Sequence, residues 1–209
     1  MVQLFIDGGG FMWPILFVFI VGFVFVGERL YHLIKGLATK EEFVEGLANT
    51  VQKNGIKAAQ TECDGAVGPV ANLCVAALDR AHLGAEAAEK ALDQSGAIEM
   101  ASLEKNMTWI SLCIAIAPML GFLGTVWGMI QAFNDIKMAN DISPAVVAGG
   151  ISVALLTTAF GLVCAVILQL LQNAVMYIID NQIVTMQKST SMLIQSIGDK
   201  ARFTNANQA

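Results

Sequence analysis

Ionisable side chains are scarce in this sequence and missing where it is most apolar. Only 14% of its 209 residues are charged, and from Asn106 to Asn134 and from Ile142 to Ile179 there is no Asp, Glu, Lys, Arg or His. A charge at mid-bilayer costs at least a few kcal/mol and is kept only for function, so these stretches supply a lined path and no titrating group. Histidine is confined to His32 and His82, neither with a partner at ligand spacing. The four cysteines, Cys63, Cys74, Cys113 and Cys164, also lack metal-ligand spacing. They read as buried or reduced thiols, and neither a metal nor another cofactor is expected. The bases are scattered and form no stripe, which excludes a nucleic-acid surface. No internal repeat is present, so a secondary transporter would have little substrate chemistry to work with, and nothing points to an enzyme.

Apolar length is what the chain has instead. It is 56% hydrophobic, with uncharged runs at Gly8 to Gly27 (20 residues), Asn106 to Asn134 (29) and Ile142 to Ile179 (38). Each reaches the roughly 20 residues needed to cross a bilayer. The first reads as a retained helix, because Asp7 precedes it and no small-residue cleavage site follows. Eleven of the twelve Lys and Arg lie between Arg29 and Lys105 or after Asp180, the exception being Lys137. The positive-inside bias then places the N-terminus outside and the C-terminus in the cytoplasm. The expected fold class is an all-α membrane protein of three transmembrane helices, the second and third long and extending into a cytoplasmic helical bundle. Its divisions are 1–34 (periplasmic N-terminus and first helix), 35–105 (cytoplasmic helical segment), 106–134 (second helix), 135–143 (periplasmic link), 144–179 (third helix) and 180–209 (cytoplasmic tail). No separate folded domain is expected.

The run "ILFVFIVGFVFV" after Pro14 is apolar nearly all round, with Trp13 and Tyr31 at its edges, as suits an outer helix with broad lipid exposure. From Thr39 to about Ala59, Phe43, Leu47 and Val51 alternate with Glu41, Glu45 and Lys53, predicting an amphipathic helix that "TECDGAVGP" breaks. After Pro69, residues Leu73, Ala77, Ala81, Ala88, Leu92 and Leu103 recur near one face. They predict one long helix running into the second span, with Gly84 and Gly96 as its weak points. The third run would make a helix of about 57 Å against roughly 30 Å of hydrocarbon, so part of it stands outside the bilayer. Gln169, Gln172 and Asn173 mark its exit, Ser143 suits its N-cap and Pro144 its first helical position.

Small residues form stripes in both long spans. Gly150, Ala154, Thr158, Gly161 and Ala165 share one face of the third span, and Gly121, Gly124 or Thr125, and Gly128 answer in the second. Such stripes either let the two backbones approach closely or leave room for something narrow, such as a foreign helix, to lie between them. Pro118 frees the carbonyl of Ile114, and Thr125, Thr157 and Thr158 are the hydroxyls at hand to satisfy it.

The stretches "APMLGFLGTVWGMIQAF" and "AVVAGGISVALLTTAFGL" strongly resemble the membrane core of the TolQ, ExbB and MotA family, the ion-channel subunits of inner-membrane motors driven by ion-motive force. The resemblance covers Glu104 to about Asp180, and the three spans favour the ExbB and TolQ branch. It implies a homopentamer around two copies of an ExbD-like or TolR-like single-span protein, each bringing one membrane aspartate, with a TonB-like protein as a further partner and lipid around the ring. Residence in the bacterial inner membrane follows from the same likeness. Thr125 and Thr158 match the family's ion-pathway threonines. Gly121, Gly124, Gly128, Gly150, Val153, Ala154, Thr157 and Gly161 would line the pore or pack closely. Where the ExbB and TolQ branch has a glutamate in "GIAEALLAT", this chain has "GGISVALLT", with Val153 at the acid's place. The expected function is a stator-like subunit coupling proton-motive force to mechanical work, as in ExbB–ExbD/TonB energisation. TolQ-type, gliding and flagellar motors are its alternatives, and a passive membrane scaffold is the reading from another class.

Overall fold

Pro144 has no backbone N–H to lose at a helix start, and it opens a helix of 63 residues. This is the longest element of the computed structural model, which describes residues 2–36, 41–63, 68–139 and 144–206. The described elements are all helical: α1 (Val2–Asp7), α2 (Met12–Gly36), α3 (Glu41–Asn54), α4 (Ile56–Cys63), α5 (Pro69–Arg80), a 3₁₀ turn (Ala81–Leu83), α6 (Ala85–Leu103), α7 (Met107–Ala139) and α8 (Pro144–Ala206). Three helices are long and apolar enough to cross a membrane, in keeping with the three uncharged runs. At 1.5 Å per residue α8 measures about 95 Å, well beyond the hydrocarbon thickness. Helix α7 continues to Ala139, through most of the stretch expected to be a link, and Ser143 lies outside the described residues.

Two compact units divide the chain. One comprises Met1–Arg29 with Asn106–Val175, the other Leu30–Lys105 with Met176–Ala209.

In the first unit, α2 has the all-round apolar surface that the sequence showed, but packing selects one stripe of it. Met12, Ile15, Val26 and Arg29 are buried, while Trp13, Phe17, Ile20, Phe23 and Val24 on the other faces stay exposed. Ile15 packs with Ala117 of α7 and Cys164 and Ala165 of α8. Gly22 sits so close to its neighbours that a Cβ there would lie 2.8 Å from Leu168 Cδ1 and 3.1 Å from Cys113 Cβ. Phe5 on the short α1, which periodicity did not reveal, meets Trp13 and Phe160 edge-to-face at ring separations of 5.4 and 5.7 Å. At the far end of the apolar run, buried Arg29 pairs with Glu28 at 2.9 Å. The Asn106 Nδ2 donates to the same carboxylate at 2.8 Å. Asn106 has φ 64°, a left-handed conformation that asparagine tolerates better than most residues, and the helical path is interrupted there.

The second unit departs further from expectation. The predicted long helix from Pro69 into the second span is instead a helical hairpin. Gly84, at φ 111°, reverses the chain after the 3₁₀ turn, so that α6 folds back along α5. Asn72 Nδ2 then donates to Glu99 Oε1 at 2.7 Å, and Gly96 lies against Leu73. The predicted apolar face survives this change, because Leu73, Ala77, Ala81, Ala88, Leu92 and Leu103 are all buried. Periodicity identified the buried positions but could not see that the face turns on itself. Gly55, at φ 95°, likewise divides the expected amphipathic helix into α3 and α4. Leu47 and Val51 are buried as predicted. Gly68 and Pro69 start α5, the four residues before them lying outside the described part. From Met176 onward α8 adds Met186, Leu193 and Ile197 to the core, and Gln182 Nε2 donates to the Leu33 carbonyl at 3.1 Å.

Cys63 and Cys74 are buried in this unit, neither in a disulfide. Burial, with a smaller contribution from Cys63, pushes the Cys74 thiol up to about 12 from 9.0. The unfolded chain therefore releases that proton first as pH rises, and folding stability falls from about pH 9 upward until the folded thiol itself ionises near 12. Thermal unfolding of the full chain in detergent, followed by helical circular dichroism, should show a steeper alkaline decline for wild type than for Cys74→Ala. Equal slopes would mean that Cys74 does not carry this dependence.

Candidate functional site

The small-residue stripes meet each other. A Cβ on Gly161 of α8 would lie 2.6 Å from the Ala117 carbonyl oxygen and 3.3 Å from Gly121 Cα. One turn further, Gly121 faces the backbone of Thr157 and Thr158, with their O and Cα at 3.0 and 3.1 Å from its would-be Cβ. Gly124 receives the Thr157 side chain, whose Oγ1 would be 2.7 Å from a Cβ there. Gly128 lies against Ala154, and Gly150 against Ala132 and the Gly128 carbonyl. The two readings of the stripes are thus resolved within the chain: the helix lying in the groove of α7 is α8 itself. Backbones this close are possible because one partner at each of these contacts is a glycine.

Three hydroxyls sit along this seam with different partners. Thr158 Oγ1 donates across the interface to the Gly121 carbonyl at 3.1 Å. Thr157, 1% exposed, donates to Ala154 O of its own helix at 2.8 Å. Thr125 Oγ1 turns back to Phe122 O at 2.6 Å. None of these bonds goes to Ile114, the carbonyl expected to need rescue beside Pro118. The reason is distance along the axis: Thr125 is three turns beyond Ile114, and Thr158 stands opposite Gly121. Val153 is on a different side of α8 from Ala154 and faces the N-terminal turn, its Cγ1 3.5 Å from where a Gly9 Cβ would be. It lines a half-open recess together with Gly124, Gly128 and Thr157.

A further tie was not visible in the sequence. Gln172, one of the residues expected to mark the exit of the third helix, donates its Nε2 to Ser111 Oγ of α7 at 2.6 Å, and Gln169 Nε2 donates to Asn173 Oδ1 at 3.1 Å. The Ser111–Gln172 pair is separated by 61 positions, so no local pattern carries its signal.

The sequence pattern of the MotA/TolQ/ExbB proton channel family matches residues 66–188, more than half of the chain and including the whole α7–α8 seam. This chain belongs to that family. Among curated relatives of the MotA/TolQ/ExbB family, the ExbB homolog of Methanothermobacter thermautotrophicus is 30% identical over 182 residues, 87% of this chain and 64% of the relative. The biopolymer transport protein ExbB-like 1 of Synechocystis sp. is 28% identical over 165 residues, 78% of this chain and 65% of the relative. ExbB of Salmonella typhimurium is 50% identical over 52 residues, which are 25% of this chain and 21% of that protein. The chain thus spans a little under two thirds of the length of the first two. As a member of a proton channel family with three apolar helices, it is a membrane protein of the transport class.

Proposed function

We propose that this chain is the stator-like ion-channel subunit of a motor in the bacterial inner membrane, coupling proton-motive force to work on a partner as in ExbB–ExbD/TonB energisation. The observation that carries the reading is chemical: the apolar parts of α7 and α8 present hydroxyls at their seam and no Asp, Glu, Lys, Arg or His. A proton crossing 100 mV releases about 2.3 kcal/mol, and using it requires a group that alternates between neutral and charged forms. This subunit leaves that group to a partner. Two copies of an ExbD-like or TolR-like single-span protein, each with a membrane aspartate, would stand inside a ring of five such chains, N-termini periplasmic and C-termini cytoplasmic. The neutral acid slides past the apolar wall, and its charged form waits beside Thr158 or Thr125. Gln172–Ser111 and the glycine seam hold that wall rigid while the partner helices turn.

Proteoliposomes with an imposed proton gradient test the division of labour. The chain co-purified with the single-span product of a neighbouring gene should conduct protons, and the chain alone should form a ring of five that conducts little. Equal flux with and without the partner would show that the chain carries its own titrating path. A monomer or dimer would favour a passive scaffold.

A further inference from the structure

The recess beside Val153 has a volume of about 370 Å³ and is lined by Gly8, Gly9, Gly10, Phe11, Pro14, Gly124, Trp127, Gly128, Gln131, Val153 and Thr157. It lies wholly within the first unit, on the side of α8 turned toward the N-terminal segment, and is bordered by Gly124 and Gly128 of the α7–α8 seam. Three properties bear on what fills it. Its volume is far above the roughly 15 Å³ that one water needs. Gly8 to Phe11 are not helical, and among the described residues the N–H groups of Gly10 and Phe11 find no hydrogen-bond acceptor. Non-helical backbone at membrane depth is tolerated only where it is buried in protein or faces water, and an acyl chain offers no acceptor. The recess also contains the Gln131 amide and the Thr157 hydroxyl, whose proton goes to Ala154 O and whose lone pairs remain able to accept.

Its depth matters as much as its polarity. Thr157 lies thirteen residues into α8 from Pro144, about 20 Å along the helix. Gln131 is eight residues from the end of α7 at Ala139, about 12 Å along its helix. The recess therefore runs inward from the level of Gln131 to the residue preceding Thr158. We infer that it is a water-filled inlet, built within a single subunit, that brings the ion from the N-terminal end of the spans to the Thr157–Thr158 step of α8. Gln131 stands at the mouth, Thr157 at the floor, and residue 153 sets the bore between them. The inference rests on the ion-pathway reading above, yet its hydration can be measured without any flux.

The test uses single cysteines in the full chain in intact membranes, labelled with the membrane-impermeant reagent methanethiosulfonate ethyltrimethylammonium. Only a thiolate reacts, and thiolates form in water. Val153→Cys should be modified at least about tenfold faster than Leu155→Cys, whose site faces outward on the apolar surface, and wild type, with its cysteines buried, should stay unlabelled. Equal slow labelling of the two variants would mean that lipid or side chains fill the recess, and would overturn the inlet whatever the flux. In the complex with its single-span partner, Val153→Phe should cut proton flux at least about tenfold, a barrier change of about 1.4 kcal/mol, while Val153→Ser conducts. Full conduction by Val153→Phe would likewise overturn the inlet. Full conduction by Thr158→Val would instead remove the ion-pathway reading and leave the labelling result standing.

Discussion

Gly161→Ala is expected to lower the thermal midpoint of the chain in detergent by about 5–10 °C, and Gly161→Leu to abolish the folded α7–α8 pair. The added Cβ would sit 2.6 Å from the Ala117 carbonyl oxygen, a backbone atom that no rotamer change can move aside. Relief requires separating the two helices, which also strips Gly121 from Thr158 and Gly128 from Ala154. Overpacking of this kind costs about 1–3 kcal/mol, and in a protein of this size each kcal/mol shifts the midpoint by about 2–4 °C. Gly149 is the control on the same helix. Nothing lies within 4 Å of a Cβ there, so Gly149→Ala should be neutral or slightly stabilising through helix propensity. A Gly161→Ala protein as stable as wild type would mean that α7 and α8 do not approach this closely.

Thr158→Val should reduce proton flux through the complex by about tenfold or more while leaving the fold intact, and Thr158→Ser should conduct nearly as wild type. Valine keeps the shape and removes the hydroxyl. The lost bond to the Gly121 carbonyl, 3.1 Å long, is of the kind worth about 0.6 kcal/mol on average between membrane helices. Stability alone cannot then account for a tenfold effect on flux. The serine variant separates the two roles, because it retains the donor and lone pairs and gives up only a methyl group. Undiminished flux in Thr158→Val, with the complex assembled, would remove this hydroxyl from the ion pathway. Thr125→Val is the milder test, since the Thr125 hydroxyl closes on Phe122 of its own helix and ties nothing across the seam.

The residues of the seam were legible before the structure because their signal is local and periodic. Gly121, Gly128, Gly150, Ala154, Thr158 and Gly161 fall on helical faces by spacing alone, and so does the buried stripe from Leu73 to Leu103. Which object lies in the groove was not legible. Two glycine faces fit a foreign helix as well as each other, and only the crossing of α7 with α8 chooses between these. The same limit explains the α5–α6 hairpin. A 3.6-residue period is indifferent to reversal, and Gly84 reads in sequence as a weak point in a helix until its φ of 111° makes it a turn.

By itself, then, the order of residues determined what each segment must be. Runs without charge longer than a bilayer's thickness have to be helices in lipid, because every backbone group needs an internal partner there. The bases, the hydroxyls and the absent acids likewise follow from composition, whereas the family was indicated by the resemblance of two motif stretches in the second and third spans. Tertiary structure alone decided which faces meet. An all-round apolar helix such as α2 has no preferred side until Ile15 and Gly22 find α7 and α8. Close approach, the Thr158–Gly121 bond and the recess beside Val153 are properties of residues on different helices, tens of positions apart, and no local period of the sequence contains them.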